Sequence, residues 1–146
     1  MESDLIKLYS GRILALAADI PHLGRLSAPH GSFRARSPQC GSAVTVDICT
    51  KDGRISAFAQ DVKACALGQA AAAITGAQMI GRTKTDIETA RLALATMLLD
   101  GPVPKAPFEE LEILRAAAPF TNRHASILLS LDATLGAFED AERKVA

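Results

Sequence analysis

Three side chains in this 146-residue sequence could act together on a metal or on sulfur: Cys40, Cys65 and His124. Cys40 lies in a Pro/Gly turn within the stretch SPQCGSAVTVDIC, which then alternates apolar and polar residues as a strand does. Cys65 lies in the first turn of a predicted helix, and His124 lies in the first turn of the last predicted helix. Functional residues concentrate where elements begin and end, so these three positions are candidates for one site.

Thiolates and imidazoles are good ligands for iron and zinc. A helix start and a preceding lysine both favour the thiolate of Cys65, so we expect it to be more reactive than Cys40. The separations between Cys40, Cys65 and His124 match no local ligand motif such as C-x-x-C. A structural role in the buried core is therefore an open alternative for each of the three residues. Cys49 is assigned no function, and His22 and His30 are weaker candidates. Another interpretation is an enzyme in which Cys65 is the nucleophile and His124 is the base, but no group that would orient the histidine is evident.

Composition excludes several classes of protein. The 16 basic and 16 acidic residues cancel, so neither a nucleic acid nor a membrane surface is expected as a partner. The uncharged span 64–81 is rich in alanine and too weakly apolar to insert into a membrane. The start lacks the features of a signal peptide, and three cysteines argue against a disulfide framework. We therefore expect one domain, spanning residues 1–146, in the cytoplasm.

The first half of the chain predicts a helix followed by strands. Ser3 is a candidate helix cap, and Pro21 follows the end of that helix. The apolar positions of this helix are Leu5, Leu8, Ile13 and Leu16. An irregular edge strand is expected within residues 22–38. Alternation then predicts a strand through Val44, Val46 and Ile48, a hairpin turn at residues 51–53, and a returning strand RISAFAQDV.

The second half predicts helices. One begins at Ala64 and ends at Gly81, and a capping box of Thr85 and Glu88 starts the next. A short helix over residues 108–117 follows the loop DGPVPKAP, and Thr121 caps the last helix. Strands followed by helices predict an α+β fold, with a three-stranded antiparallel sheet and helices packed on one face.

Three segments resemble the U-type iron–sulfur cluster assembly scaffolds, the family of IscU, SufU and the amino-terminal domain of NifU. They are SPQCGSAVTVDI, VKACALGQAAAAI and RHASILLSLDA, and their order and separations agree over residues 5–138. The resemblance implies a SufE/NifU-like fold and identifies Cys40 and Cys65 as ligands, with His124 beside the third ligand position. The cargo it implies is iron, a labile [2Fe–2S] cluster or zinc, with Asp61, water, a thiol cofactor or a second subunit completing the ligand set. The implied partners are a cysteine desulfurase, cluster-recipient or carrier proteins, and a second copy of the chain.

Two positions depart from the family pattern. Ser42 stands where the family has an aspartate, and Ala125 stands where it has the third cysteine. We expect Ala125 to face Cys40 and Cys65 from the helix start, and Ser126, about 100° around the helix, to lie away from them. These departures favour an alternative in which the chain is a regulatory or docking paralogue. Such a paralogue would bind a cysteine desulfurase without assembling a cluster.

Overall fold

The structure is a computed structural model and describes residues 9–38 and 41–145. The predicted cap Ser3, the positions Leu5 and Leu8, and Cys40 lie outside these residues. The described elements are α1 (Gly11–Ala17), β1 (Gly31–Ser37), β2 (Ser42–Lys51), β3 (Arg54–Lys63), α2 (Ala66–Gly76), α3 (Lys84–Met97), 3₁₀ helices at Glu109–Ala117 and Thr121–Arg123, and α4 (His124–Val145). Within these ranges, no helix is both long and apolar enough to cross a membrane.

The three strands form one antiparallel sheet in the order β1–β2–β3, which confirms the predicted fold class. Val44, Val46 and Ile48 pair with residues 62, 60 and 58 of β3, so their side chains share one face of the sheet. That face carries the core, and all three are at most 1% exposed. The predicted hairpin turn is also confirmed, and Asp52 and Gly53 both adopt positive φ there.

The last helix, α4, packs on β1 and β2 and contacts α2 and α3. Two glycines allow this close approach. A Cβ atom at Gly31 would overlap the carbonyl oxygen of Ala137, and one at Gly136 would overlap the ring of Phe33. The amide of Ser32 also donates to the carboxylate of Asp140 at 2.9 Å. The position of α4 along the sheet is therefore fixed by backbone contact as well as by side chains.

Several predicted boundaries are wrong by a few residues. The helix expected over residues 64–81 begins at Ala66 and ends at Gly76. The capping box of α3 is formed by Thr83 and Asp86, whose side chains bond to each other's amides, and not by Thr85 and Glu88. The capping box starts at Thr83 because the preceding residues bond to β3, the edge strand of the sheet. The carbonyl oxygen of Arg82 accepts from an amide of β3, and Thr83 forms a bridge to the same strand, so the chain is extended up to Thr83.

The segment before β1 folds over the sheet face opposite the helices. Its Arg25 donates two hydrogen bonds to Asp47, at 2.7 and 3.1 Å, and the Leu26 amide donates a third at 3.0 Å. Ser32 supplies a fourth at 2.5 Å. Asp47 is 0% exposed, so its charge depends on these four donors. Burial alone would raise the pKa of Asp47, but the hydrogen bonds from Arg25, Ser32 and Leu26 together lower it.

Asp47→Asn should lower the free energy of unfolding by about 2 kcal/mol in urea denaturation at neutral pH, because the amide cannot accept from all four donors. The exposed Arg25 can be rehydrated, which limits the loss. The folded-state pKa is lowered, so the contribution of Asp47 is present above the unfolded-state pKa and is lost as pH falls through the folded-state pKa. The gap between parent and variant should therefore shrink below about pH 4. The exposed Asp19→Asn should change little; an equal loss there would refute the assignment.

Candidate functional site

Three segments of the chain meet where β2 begins and β3 ends. The sulfur of Cys65 lies 3.4 Å from the hydroxyl oxygen of Ser126. That hydroxyl donates to the hydroxyl oxygen of Ser42 at 3.0 Å. Ser42 is two residues from Cys40, and Ser126 is two residues from His124. Two residues span at most about 7 Å of extended chain, so this contact brings the backbone of Cys65 and that of His124 to the same end of the molecule as the start of β2.

Cys65 is the N-cap residue of α2 and has extended backbone angles, φ −67° and ψ 169°. Its side chain makes no capping hydrogen bond, so the sulfur is not used to satisfy the amides of the helix start. The side chain is partly exposed, and the preceding Lys63 is exposed at the end of β3. The start of a helix favours negative charge, because the amides of its first turn point toward it. Cys65 is thus accessible at a helix start, and its sulfur has no capping role.

His124 is the first residue of α4, and its ring is held by backbone oxygens. Its Nε2 lies 3.1 Å from the carbonyl oxygen of Ala117 and 3.0 Å from that of Ala118. Carbonyl oxygens only accept hydrogen bonds, so Nε2 carries a proton. In the neutral imidazole the lone pair is then on Nδ1, and a metal would bind there. The last turn of the 3₁₀ helix Glu109–Ala117 therefore fixes the tautomer of this histidine.

The expectation that Ser126 lies away from Cys65 is wrong. Ala125 is exposed, whereas Ser126 is 1% exposed and touches the Cys65 sulfur. The cause is the packing of α4 on α2. A Cβ atom at Gly68 would lie 2.7 Å from the Ser126 hydroxyl, so only a glycine there lets the serine side chain enter the interface. Ser126 is buried between the two helices, and its neighbour Ala125 is turned to solvent.

Asp61, the weaker predicted ligand, lies on the outer face of the sheet. Asp61 pairs with Thr45 across the sheet and, by alternation, shares the outer face with Asp47. The pKa of Arg25 is raised, chiefly by its hydrogen bond to Asp47 and to a smaller extent by the charge of Asp61. Asp61 thus acts on the Arg25–Asp47 pair. In the part of the chain that the structure describes, which lacks Cys40, no group of three histidine, cysteine or acidic side chains could hold a metal ion.

His22, His30 and Cys49, which the sequence offered as weaker candidates or without a function, each make a contact that gives them a structural role. The ring of His22 packs edge-on against Phe58, with ring centroids 5.9 Å apart. The Nδ1 atom of His30 accepts the amide of Thr50 at 2.9 Å. The thiol of Cys49 donates to a backbone carbonyl oxygen at 3.5 Å. None of these three contacts involves Cys65 or His124.

Sequence reasoning missed Ser126, although a signal was present. Ser126 precedes the apolar run ILL, in a helix whose buried face is otherwise largely hydrophobic. A buried hydroxyl is nearly always hydrogen-bonded, so a serine beside such a run indicates a polar partner across the interface. The identity of that partner, Cys65 together with Ser42, depends on tertiary packing and has no local signal.

Comparisons with known proteins place the chain in a family. No family model and no curated protein matches it. Among solved structures, a nitrogen-fixing NifU-like protein (N-terminal) from Brucella abortus is 35% identical, with a TM-score of 0.92 over 97% of this chain and 99% of the other. A putative iron–sulfur cluster assembly scaffold protein for the SUF system from Fervidobacterium islandicum is 19% identical, with a TM-score of 0.80 over 88% and 94% of the two chains. A hypothetical protein is also 19% identical, with a TM-score of 0.81 over 92% and 98%.

The two 19% matches show only that the fold is shared. The match to the NifU-like protein is closer and spans nearly the whole of both chains, so the chain belongs to the NifU-like amino-terminal domain family. The resemblance to U-type scaffolds predicted from the sequence is therefore confirmed.

Gly68→Ala should destabilise the protein by about 1–3 kcal/mol, because the new methyl group overlaps the Ser126 hydroxyl and the side chain of Ala64, at 2.7 and 2.8 Å. The matched control is Gly11→Ala in α1, where nothing lies within 4 Å of the added atom. That control should be neutral or stabilising by up to about 1 kcal/mol. Urea denaturation of both variants measures the difference. Equal stability of the two variants would contradict the described packing at Ser126.

Proposed function

We propose that this chain is an iron–sulfur cluster assembly scaffold that holds iron, a nascent [2Fe–2S] cluster or zinc through Cys40, Cys65 and His124. The contact from Cys65 through Ser126 to Ser42 carries the proposal, because it joins segments within two residues of each ligand. Membership of the NifU-like family supports it.

The chemistry of the described donors fits such a cargo. Cys65 offers a partly exposed sulfur at a helix start, and His124 offers Nδ1 with its other nitrogen already hydrogen-bonded. Metal-binding histidines commonly donate their second N–H to a carbonyl oxygen in this way. Cys40 is the third ligand in the proposal. A fourth position is left for water, a thiol cofactor, a second subunit or, as a weaker candidate, Asp61.

The proposal includes the cellular setting. A cysteine desulfurase would supply sulfur, and carrier or recipient proteins would take the cluster. The chain itself would bind and release its cargo without catalysing a reaction, as a single domain over residues 1–146 in the cytoplasm, alone or as a homodimer. An enzyme with Cys65 as nucleophile and His124 as base is less well supported, because the described hydrogen bond of the sulfur is to Ser126 and those of the histidine ring are to backbone oxygens.

One alternative has a specific observation in its favour. Ala125, at the family's third cysteine position, is exposed and offers no ligand atom, and Ser42 offers a hydroxyl in place of a carboxylate. A regulatory or docking paralogue that binds a cysteine desulfurase without holding a cluster would need neither ligand. Measuring metal and desulfurase binding on the same preparation separates the two functions.

Anaerobic reconstitution with iron and sulfide tests the site. The parent should retain iron and acid-labile sulfide in equal amounts. Cys65→Ser and His124→Gln should each retain at least about tenfold less, since each removes a ligand atom. Glutamine can still donate to the carbonyl oxygens that hold the ring, so the second variant leaves the local fold supported.

The matched control is Cys49→Ser, which removes a thiol bonded only to a backbone oxygen among its described contacts. It should retain as much iron and sulfide as the parent. A parent that binds a cysteine desulfurase but retains no metal would favour the docking paralogue. Equal losses in the Cys49 and Cys65 variants would place the cargo elsewhere.

Ala125→Cys tests the departure from the family pattern. A thiol at the exposed start of α4 adds a soft ligand one residue after His124, so zinc or cluster retention should rise severalfold over the parent. Metal and sulfide analysis after anaerobic reconstitution measures it. Ala15→Cys, at an exposed alanine of α1, should give no gain. If both variants gain alike, the added thiol binds metal nonspecifically and position 125 is not a ligand position.

A further inference from the structure

The hydroxyl of Ser126 lies between two groups that compete for its proton. Ser126 is 1% exposed and Ser42 is 3% exposed, so neither hydroxyl relies on solvent. Ser126 has a single proton, which it donates to Ser42. At the 3.4 Å contact with Cys65 the serine oxygen is therefore the acceptor, and the thiol is the donor. In the metal-free protein the hydrogen bonds run from Cys65 to Ser126 to Ser42.

We propose that Ser126 is a positioning residue that holds the Cys65 sulfur toward its cargo, and that Ser42 opposes it by accepting the same proton. The proposal rests on the proposed function in taking Cys65 as a ligand. A sulfur bound to a metal has no proton to donate. The contact then remains a hydrogen bond only if Ser126 turns its O–H toward the sulfur and releases Ser42.

The packing around Ser126 permits this turn but not a displacement of the oxygen. The backbone of Gly68 closes one side of the side chain, since even a Cβ atom there would come within 2.7 Å of the hydroxyl. Rotation about the C–O bond needs no extra space. Loading of Cys65 would thus change the direction of one O–H bond while the helices α2 and α4 stay in place.

The two serines should have opposite effects on binding. Ser126→Ala removes the donor to the loaded sulfur, which predicts zinc binding about tenfold weaker than in the parent. Ser42→Ala removes the competing acceptor, so Ser126 can turn without losing a bond, and zinc should bind about threefold more tightly. A role in packing alone would weaken binding in both variants.

A matched control is available one turn further along α4. Ser130 is 2% exposed and pairs with Thr75 of α2 at 3.0 Å, so Ser130→Ala also removes a buried hydroxyl pair between these two helices. It should leave both zinc affinity and the Cys65 thiol unchanged. This pair is separate from the hydrogen bonds at Cys65, because in the described part of the chain neither Ser130 nor Thr75 bonds to Ser126.

Two measurements test the proposal. Zinc affinity is measured on all variants by competition with a chromogenic chelator. The S–H stretching band in the Raman spectrum of the metal-free protein reports the thiol bond directly, and Ser126→Ala should shift the Cys65 component to higher frequency because the thiol loses its acceptor. Ser130→Ala should leave the band in place.

An unshifted band in Ser126→Ala would overturn the proposal, and so would weaker zinc binding in both serine variants. If Ser126→Ala does not fold, tighter binding in Ser42→Ala but not in Ser130→Ala would support it, and no change in Ser42→Ala would overturn it. A parent that binds neither zinc nor iron would defeat the proposed function. In that case the Raman shift still decides whether Ser126 holds the sulfur.

Discussion

The structure depends on the close packing of the last helix against the first strand. Gly31 and Gly136 remove the side chains that would keep the two apart, and Asp140 accepts the Ser32 amide across the same contact. The pKa of Asp140 is held well below its usual value, first by Arg143 and then by that amide. Because α4 is a single helix from His124 to Val145, fixing its middle and end on the sheet also fixes where its first turn lies.

The candidate site follows from that constraint. The start of α4 meets the start of α2, so His124 and Ser126 lie at the end of the sheet where Cys65 is the N-cap residue of α2. Small residues make the meeting possible, since α2 is largely alanine and glycine and lets the neighbouring helix approach closely. The hydroxyls of Ser42 and Ser126 at this junction are buried but hydrogen-bonded. The hydrogen bonds therefore orient the groups at this junction without the free energy penalty of an unsatisfied buried hydroxyl.

Much of the fold could be predicted from the sequence because it is encoded locally. Alternation gave the strands, and the turn residues at 51–53 gave the hairpin. Helix boundaries were less accurate, since both Thr83–Asp86 and Thr85–Glu88 fit a capping box and a bridge to β3 decides between them. The chain position of Cys65 at a helix start was predictable. The contact of Ser126 with the Cys65 sulfur was not predictable, because the rotation of a helix about its axis is set by its tertiary neighbours.

The edge of β3 has a consequence for how two copies of the chain could associate. Residues 22 and 24 bond to Gln60 on this edge, and residues 81 and 82 bond to Ile55. The backbone groups that another chain would need for lateral strand pairing are thus already occupied at two points along β3. A continuous intermolecular sheet through this edge would first require both segments to detach. Association of two native copies at the β3 edge would therefore rest on side-chain contacts.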